Sequence, residues 1–376
     1  MKKLKVLILN YEYPPLGGGA ATATKNLLKQ YSKRDDIEVD LITSSVGEER
    51  VEQFSKNINI YFLDIKKRGE LHNQSKINLL RYSFQALFKA RKLDREKDYD
   101  VIHALFVYPC GFLAMLIDDD YIVSLRGSGV PFYSKKYYWL DKFIFQYLSK
   151  IIWKKAKYVI ANSQGLKELA LKTIPDQEIG VIYNGVDWVE ELPIKKEEKF
   201  IVVSTSRLIE RKGLNYLIEA FGKFCKGKDD VELRLYGGGD KREMLEGIVK
   251  NLGIEGKITF LGEQPREVVY EDIGGYSVFV IPSKNEGMSN SMLEAMARGL
   301  PIIATDVGGT RELIDERNGF IVEKENTEQI CEALEKLYNN KELGEKMGRA
   351  SREKVRDLSW DRIAEQYIEL YRKVDD

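Results

Sequence analysis

The sequence predicts an α/β protein of two doubly wound domains, each a parallel sheet covered by helices. Short apolar runs alternate with segments of helical periodicity along the whole chain, the signature of parallel strands with helical crossovers. At 376 residues the chain is longer than one hydrophobic core usually serves. Near its middle, Glu190-Glu-Leu-Pro-Ile-Lys-Lys-Glu-Glu-Lys199 breaks the alternation with charge and a proline, the composition of an interdomain linker. The predicted division is a first domain over 1–188, a linker over 189–199, a second domain over 200–357 and a terminal helix over 358–376 that returns to the first.

The first strand spans 5–9; its apolar run is too short for a signal peptide and ends in Asn-Tyr-Glu, which fits a cytoplasmic protein. It opens into Pro14-Pro-Leu-Gly17-Gly18-Gly19 and a helix over 20–32. Three glycines let a backbone turn sharply or approach a ligand, though they do not match the dinucleotide fingerprint. Strands follow at 37–42 and 58–63, then a long helix over 76–95, then strands at 101–104, 121–125, 158–161 and 179–182. A second series occupies 200–204, 231–236, 257–261, 278–281, 301–304 and 319–322, and each strand feeds a loop rich in Gly, Ser, Asn or Asp. In such domains ligands bind at the C-terminal ends of the strands, so the two sets of loops are predicted to face each other across a cleft. Trp360, Ile363, Tyr367, Leu370 and Tyr371 recur at helical spacing, and that apolar face needs a surface to cover.

The segment 283–304 says most about function. Glu286 lies on a strand-to-helix turn and Glu294 in the first turns of a helix that starts near Asn290 and stops at Gly299-Leu-Pro301. Backbone N–H groups from Gly287 through Met288, Ser289 and Asn290 to Met292, with the helix dipole, favour an anion such as a diphosphate. Two carboxylates accept hydrogen bonds and so grip hydroxyls. A diphosphate esterified to sugars offers both groups. The plainer alternative is that Ser291-Met-Leu-Glu294 is a capping box and Glu286 a solvated loop charge. Arg207 and Lys212, five residues apart after the strand 200–204, form either a diphosphate clamp or an ordinary basic loop.

Composition excludes several classes. With 59 basic and 59 acidic residues, bulk charge gives no reason to expect a nucleic-acid partner. Three scattered cysteines fit a reducing compartment, and only His72 and His103 are available as imidazole ligands, so no metal site is expected. Asp118-Asp-Asp120 reads as a solvated turn. His103 and Arg126 each end a first-domain strand and are predicted to face the cleft, where either is a catalytic candidate; a hydrogen-bonded core histidine and a carboxylate-paired arginine are the alternatives. The aromatic, lysine-rich run 137–155 is too charged to span a bilayer; it reads as a buried helix with snorkelling lysines or as one lying on a membrane, with Trp153 and Lys154 as contacts.

Taken together, the motifs Pro14-Pro-Leu-Gly17-Gly-Gly19, Asp100-Val-Ile-His103, Ala161-Asn-Ser163, Ile182-Tyr-Asn184-Gly-Val-Asp187 and Ser206-Arg207-Leu with Lys212-Gly213 resemble one family in order and spacing. The likeness continues through Phe260-Leu-Gly262, Glu286 and Glu294, and Asp306-Val-Gly-Gly309 with Glu312. The chain resembles, over nearly its full length, the retaining glycosyltransferases of family four, which have the GT-B fold of two Rossmann-like domains. The resemblance implies that Arg207 and Lys212 bind the donor diphosphate, Glu286 the transferred sugar and Glu294 the ribose. It further implies that the backbone of 287–290 meets the phosphates, that near Gly262 the base, and that Gly17, Gly18 and Gly19 meet the donor. Where many relatives carry a histidine before glycine, this chain has Arg126-Gly127. The implied activity is transfer of a sugar from a UDP- or GDP-sugar to a glycan, a lipid-linked or a small-molecule acceptor in cell-envelope polysaccharide synthesis, with retention of configuration and without metal or other cofactor. A nucleotide-sugar epimerase of the same fold, or a non-catalytic sugar-nucleotide-binding protein, is the alternative. The implied location is cytoplasmic, with peripheral contact at the inner face of a membrane.

Overall fold

The computed structural model describes residues 2–67, 75–127, 129–133, 138–190 and 197–375. His72 and most of the expected linker, 191–196, lie outside the described residues. The chain forms two compact units, one comprising the chain up to Gly185 together with the segment from Trp360 onward, the other Val186–Ser359.

The sheet of the first unit contains β1 (Leu4–Leu9), β2 (Ile37–Ser45), β3 (Arg50–Ser55), β4 (Ile58–Asp64), β5 (Val101–Leu105), β6 (Tyr121–Leu125), β7 (Tyr158–Ala161) and β8 (Gly180–Val181). Their order is β3-β4-β2-β1-β5-β6-β7-β8. The central strands are buried along their whole length because helices cover both faces, which is why β5 and β6 read as apolar runs interrupted only by His103 and Ser124. β3 corrects the all-parallel expectation, since it pairs antiparallel with β4. It is an exposed edge whose sequence, Arg-Val-Glu-Gln-Phe-Ser, offers no apolar face to recognise.

The second unit holds β9 (Phe200–Thr205), β10 (Val231–Tyr236), β11 (Ile258–Gly262), β12 (Val278–Ile281), β13 (Ile302–Thr305) and β14 (Gly319–Val322), all parallel, in the order β11-β10-β9-β12-β13-β14. Its core packs Val202, Leu233, Val278 and Ile303 from the strands against Leu217, Phe221 and Phe224 of the helix Leu214–Phe224 and Leu334 of the helix Thr327–Asn339. The chain changes unit at Gly185/Val186, ahead of the charged run: Val186 N donates to Leu358 O at 2.8 Å, and Glu197 N to Gly275 O at 3.1 Å. The described ends of the charged run, Glu190 and 197–199, lie against the second unit, where Arg352 Nη2 donates to Glu190 O at 2.7 Å.

The C-terminal helix, Trp360–Asp375, belongs to the first unit. It buries Trp360, Ile363, Tyr367 and Tyr371, and packs against the helix Gly19–Tyr31, where the hydroxyls of Tyr31 and Tyr371 are 3.3 Å apart. Full burial of each large side chain contributes roughly 1.5–3 kcal/mol. Gly185 admits this helix, because a Cβ there would lie 2.5 Å from the Trp360 ring.

Candidate active site

β9 and β12 are neighbours, and the chain runs outward from them in opposite directions, to β10 and β11 on one side and to β13 and β14 on the other. Their C-terminal ends thus flank the switch point where open α/β sheets bind ligands. After β9 the chain passes Arg207 and makes a tight turn, Glu210–Lys212, that ends at Gly213. Gly213 has φ of 64°, and a Cβ on it would lie 2.2 Å from the carbonyl oxygen of Pro282, so only glycine lets this turn press against the end of β12. The approach delivers Lys212 to Glu286: Nζ donates to Oε1, which also accepts from Ser283 Oγ at 2.8 Å. Both side chains are largely enclosed, with 12% and 13% of their surface exposed.

The Glu286 loop is held from its other side as well. Gly309 N donates to Gly287 O at 2.8 Å, and a Cβ on Gly308 would lie 2.0 Å from Glu286 O. Burial pushes the Glu286 carboxyl up, but Lys212, Arg211 and Ser283 outweigh it and hold the group below its ordinary value. Glu286 is therefore an ionised acceptor at neutral pH.

The helix Asn290–Ala297 is capped by Ser289, whose Oγ accepts from Met292 N at 3.3 Å. The capping-box alternative fails, since the cap is Ser289 and Glu294 lies a turn further in. Glu294 instead accepts from Arg266 Nε at 2.7 Å, and Arg266 Nη2 lies 3.6 Å from Asp187 Oδ2. Burial pushes the Glu294 carboxyl above its ordinary value, Arg266 offsets this only in part, and Asp187 and Glu267 add to the rise. The two glutamates thus shift in opposite directions. Arg266 is the partner that sequence reading missed; it follows Pro265 at the start of a short helix, and nothing local distinguishes it from a solvated arginine. Gly262 ends β11 with φ of 70°, and its carbonyl accepts from Gly237 N at 2.7 Å, beside the Ser206 carbonyl that a Cβ on Gly237 would meet at 2.0 Å.

Gly17–Gly19, His103 and Arg126 belong to the other unit. Gly17, at φ of 93°, lies over the Glu12 side chain, and Gly18 N donates to Glu12 Oε2 at 3.2 Å. His103 corrects the expectation of a ligand-facing imidazole. It is fully buried, Nδ1 lies 2.6 Å from Tyr371 Oη, and Nε2 lies 2.7 Å from Ser124 Oγ. Burial, then the Arg126 charge, pushes it down to about 3, so it stays neutral. The returning C-terminal helix fills the space that the sequence alone leaves open in front of it. Arg126 joins the same network, donating to Asn184 Oδ1 and, through Nη2, to Tyr367 Oη at 3.2 Å. These contacts make His103 and Arg126 internal ties of the first unit. Asp118 and Asp120 form a surface turn, Asp120 N donating to Asp118 Oδ1 at 2.9 Å and Lys157 pairing with Asp120 at 2.9 Å. Among the described residues no group of three or more His, Cys, Asp or Glu side chains is placed to hold a metal ion.

Comparison with known proteins places this architecture. Residues 17–188 match the family described as Glycosyltransferase Family 4, and 189–354 match Glycosyl transferases group 1. The chain is a member of this GT-B glycosyltransferase family. It is 28% identical to an uncharacterized glycosyltransferase of Methanocaldococcus jannaschii, with 98% of each chain covered. It is 26% identical to the N-acetyl-alpha-D-glucosaminyl L-malate synthase of Bacillus anthracis, over 98% of this chain and 97% of that one. In fold it resembles sucrose-phosphate synthase from Thermosynechococcus elongatus, with a TM-score of 0.83 at 22% identity and 99% of both chains covered.

Proposed function

We propose that this glycosyltransferase moves a sugar from a nucleotide-sugar donor to a hydroxyl acceptor with retention of anomeric configuration, and that the donor is held by the Val186–Ser359 unit. The observation that carries this reading is the enclosed Lys212–Glu286 pair at the switch point of the second sheet. A cation and an anion that hold each other match the two kinds of group on the donor. The diphosphate takes Lys212, and the freed Glu286 accepts the hydroxyls of the transferred sugar. Arg207 adds charge to the same phosphates, the backbone of Gly287, Met288, Ser289 and Asn290 at the helix start meets them, and Glu294, aimed by Arg266, takes the ribose. The backbone near Gly262 faces the base.

In the reaction the bond between the anomeric carbon and the diphosphate oxygen breaks and a bond to the acceptor oxygen forms. The electron pair leaves with the nucleoside diphosphate, which also receives the acceptor's proton. Charge therefore develops on the departing phosphate, where Arg207 and Lys212 lower the barrier most. No metal is needed in this scheme. The Bacillus anthracis relative, named for joining an N-acetylglucosaminyl group to malate, supports a nucleotide-activated amino sugar or hexose as donor and keeps a small hydroxyl acid among the acceptors to try.

A thermal-shift screen against UDP, GDP, ADP and their common sugar conjugates tests the donor site. A nucleotide at about 100 times its Kd adds about 2.7 kcal/mol of stability, a readily measured rise in Tm. One nucleotide series should stabilise the protein, and by less in Glu294→Gln. Absence of a shift with every nucleotide, in folded protein, would discard the donor assignment. Binding without transfer or hydrolysis would point to a non-catalytic sugar-nucleotide-binding protein.

A further inference from the structure

The first unit carries a surface that donor chemistry does not explain. The run 138–155 is helical throughout, with a π-helical stretch at Asp141–Phe145, but most of its apolar side is not buried: Trp153 and Ile152 are fully buried, which removes Trp153 from any membrane contact, while Trp139, Phe143, Ile144, Tyr147 and Ile151 are 51–67% exposed. The long helix Lys76–Lys97 repeats the pattern with Ile77, Leu80, Phe84 and Phe88, all 57% exposed or more. Soluble helices turn such residues inward, and single exposed apolar side chains are common whereas contiguous stripes are not. Both elements pack against the short helix Phe112–Ile117, where Arg91 of the long helix donates to Leu116 O at 2.9 Å, so the stripes belong to one helical layer.

The charges of the first element are as one-sided as its apolar groups, while the second carries Asp94 and Glu96 among its cations, Glu96 Oε1 lying 3.8 Å from Lys92 Nζ. Lys142, Lys154 and Lys155 are exposed in the first element, and Arg81, Arg91, Lys92 and Arg95 in the second. Asp141, the single acid between 138 and 155, is buried and accepts from Phe132 N at 2.9 Å. Trp139 and Phe143 stack with an interplanar angle of 5°, and Lys142 Nζ lies 5.7 Å from the Trp139 ring. Among the described residues no helix is long and apolar enough to cross a membrane.

We propose that this layer docks on an anionic lipid surface, its aromatic and aliphatic groups entering the headgroup region and its cations meeting lipid phosphates. Charge complementarity at the 138–155 element, whose exposed charges are all lysines, selects this occupant. In a two-fold contact between copies of the chain the same cations would oppose one another, which disfavours self-association. The proposal stands apart from the donor-site reading, because the surface shares no residue with that site.

Flotation of the full chain with vesicles provides the test, using phosphatidylcholine alone and phosphatidylcholine with about 30% phosphatidylglycerol. The protein should float with the anionic vesicles, more weakly with the neutral ones, and less as salt rises. Trp139→Ser with Phe143→Ser, and separately Phe84→Ser with Phe88→Ser, should each weaken binding by about tenfold, and Lys154→Glu with Lys155→Glu at least as much. Nucleotide-induced thermal shifts, measured in parallel, should stay unchanged in every variant, which separates this surface from the donor site. Failure of the wild type to bind anionic vesicles, or undiminished binding by the variants, overturns the proposal. So does a dimer in light scattering that the serine variants dissociate, since a second copy would then be the occupant.

Discussion

Two carboxylates with seven residues between them have opposite environments, and that difference is open to measurement. Glu286 is ionised and paired with Lys212, so Glu286→Ala leaves an enclosed ammonium without its partner. The variant should lose most transfer activity and also about 1–3 kcal/mol of stability, read by urea denaturation. A loop carboxylate that only solvated itself would cost nothing. Glu294 titrates above its ordinary 4.5 because burial outweighs Arg266. Nucleotide affinity should therefore fall as pH drops through that raised value, as the protonated carboxyl ceases to accept from ribose. Its raised value means that protonation on acidification favours the fold, so the affinity loss should come without a stability loss from this group. Calorimetric titration from pH 7.5 to about 5 in wild type and Glu294→Gln separates it from titration of the nucleotide's own phosphate, which both proteins share. Both glutamates were legible in the sequence because a glycine, a strand and a helix start fix where they lie. Arg266 was not, because an ion pair between distant segments leaves no local pattern.

Among the elements, the C-terminal helix does most to reinterpret the sequence. Its apolar spacing was plain, but the hydroxyls of Tyr367 and Tyr371 carry information that periodicity does not. They bond to Ser124, Arg126 and His103, turning two catalytic candidates into interior ties. Tyr371→Phe should cost about 1–3 kcal/mol by stranding the His103 ring nitrogen, and should leave the nucleotide-induced shift untouched. His103 adds a pH signature. Its folded value of about 3 lies below the ordinary 6.5, so the unfolded chain takes up a proton first and stability falls as pH drops below 6.5. The slope from this one group is at most about 1.4 kcal/mol per pH unit, visible as a urea midpoint that falls with pH and falls less in His103→Asn. The buried strand β12 announced itself by uninterrupted apolar residues and β10 by apolar residues at every second position. β3 escaped because an edge strand open to solvent is under no pressure to be apolar.

At the level of the whole molecule, the chain enters the second unit at Val186 and leaves it at Ser359, where the two segments meet in a parallel bridge. Removing everything after Ser359 should uncover the Gly19–Tyr31 helix and the buried His103 while sparing the second sheet. Hydrogen exchange should then accelerate in β1 and β5 and stay slow in β9 and β12; uniform loss of protection in both units would contradict the division. The two-unit plan was readable from strand alternation, but the crossing point was not, since hydrophilic composition reports exposure to water and says nothing about which core a segment joins. The position of the last helix also bears on synthesis. A ribosome releases the chain from its N-terminus, yet the first unit needs residues made only after all of Val186–Ser359. The earlier-made half must wait, incompletely closed, while the later-made half can already fold. A prematurely terminated chain thus exposes its defect in the part made first, where a chaperone or protease can recognise it.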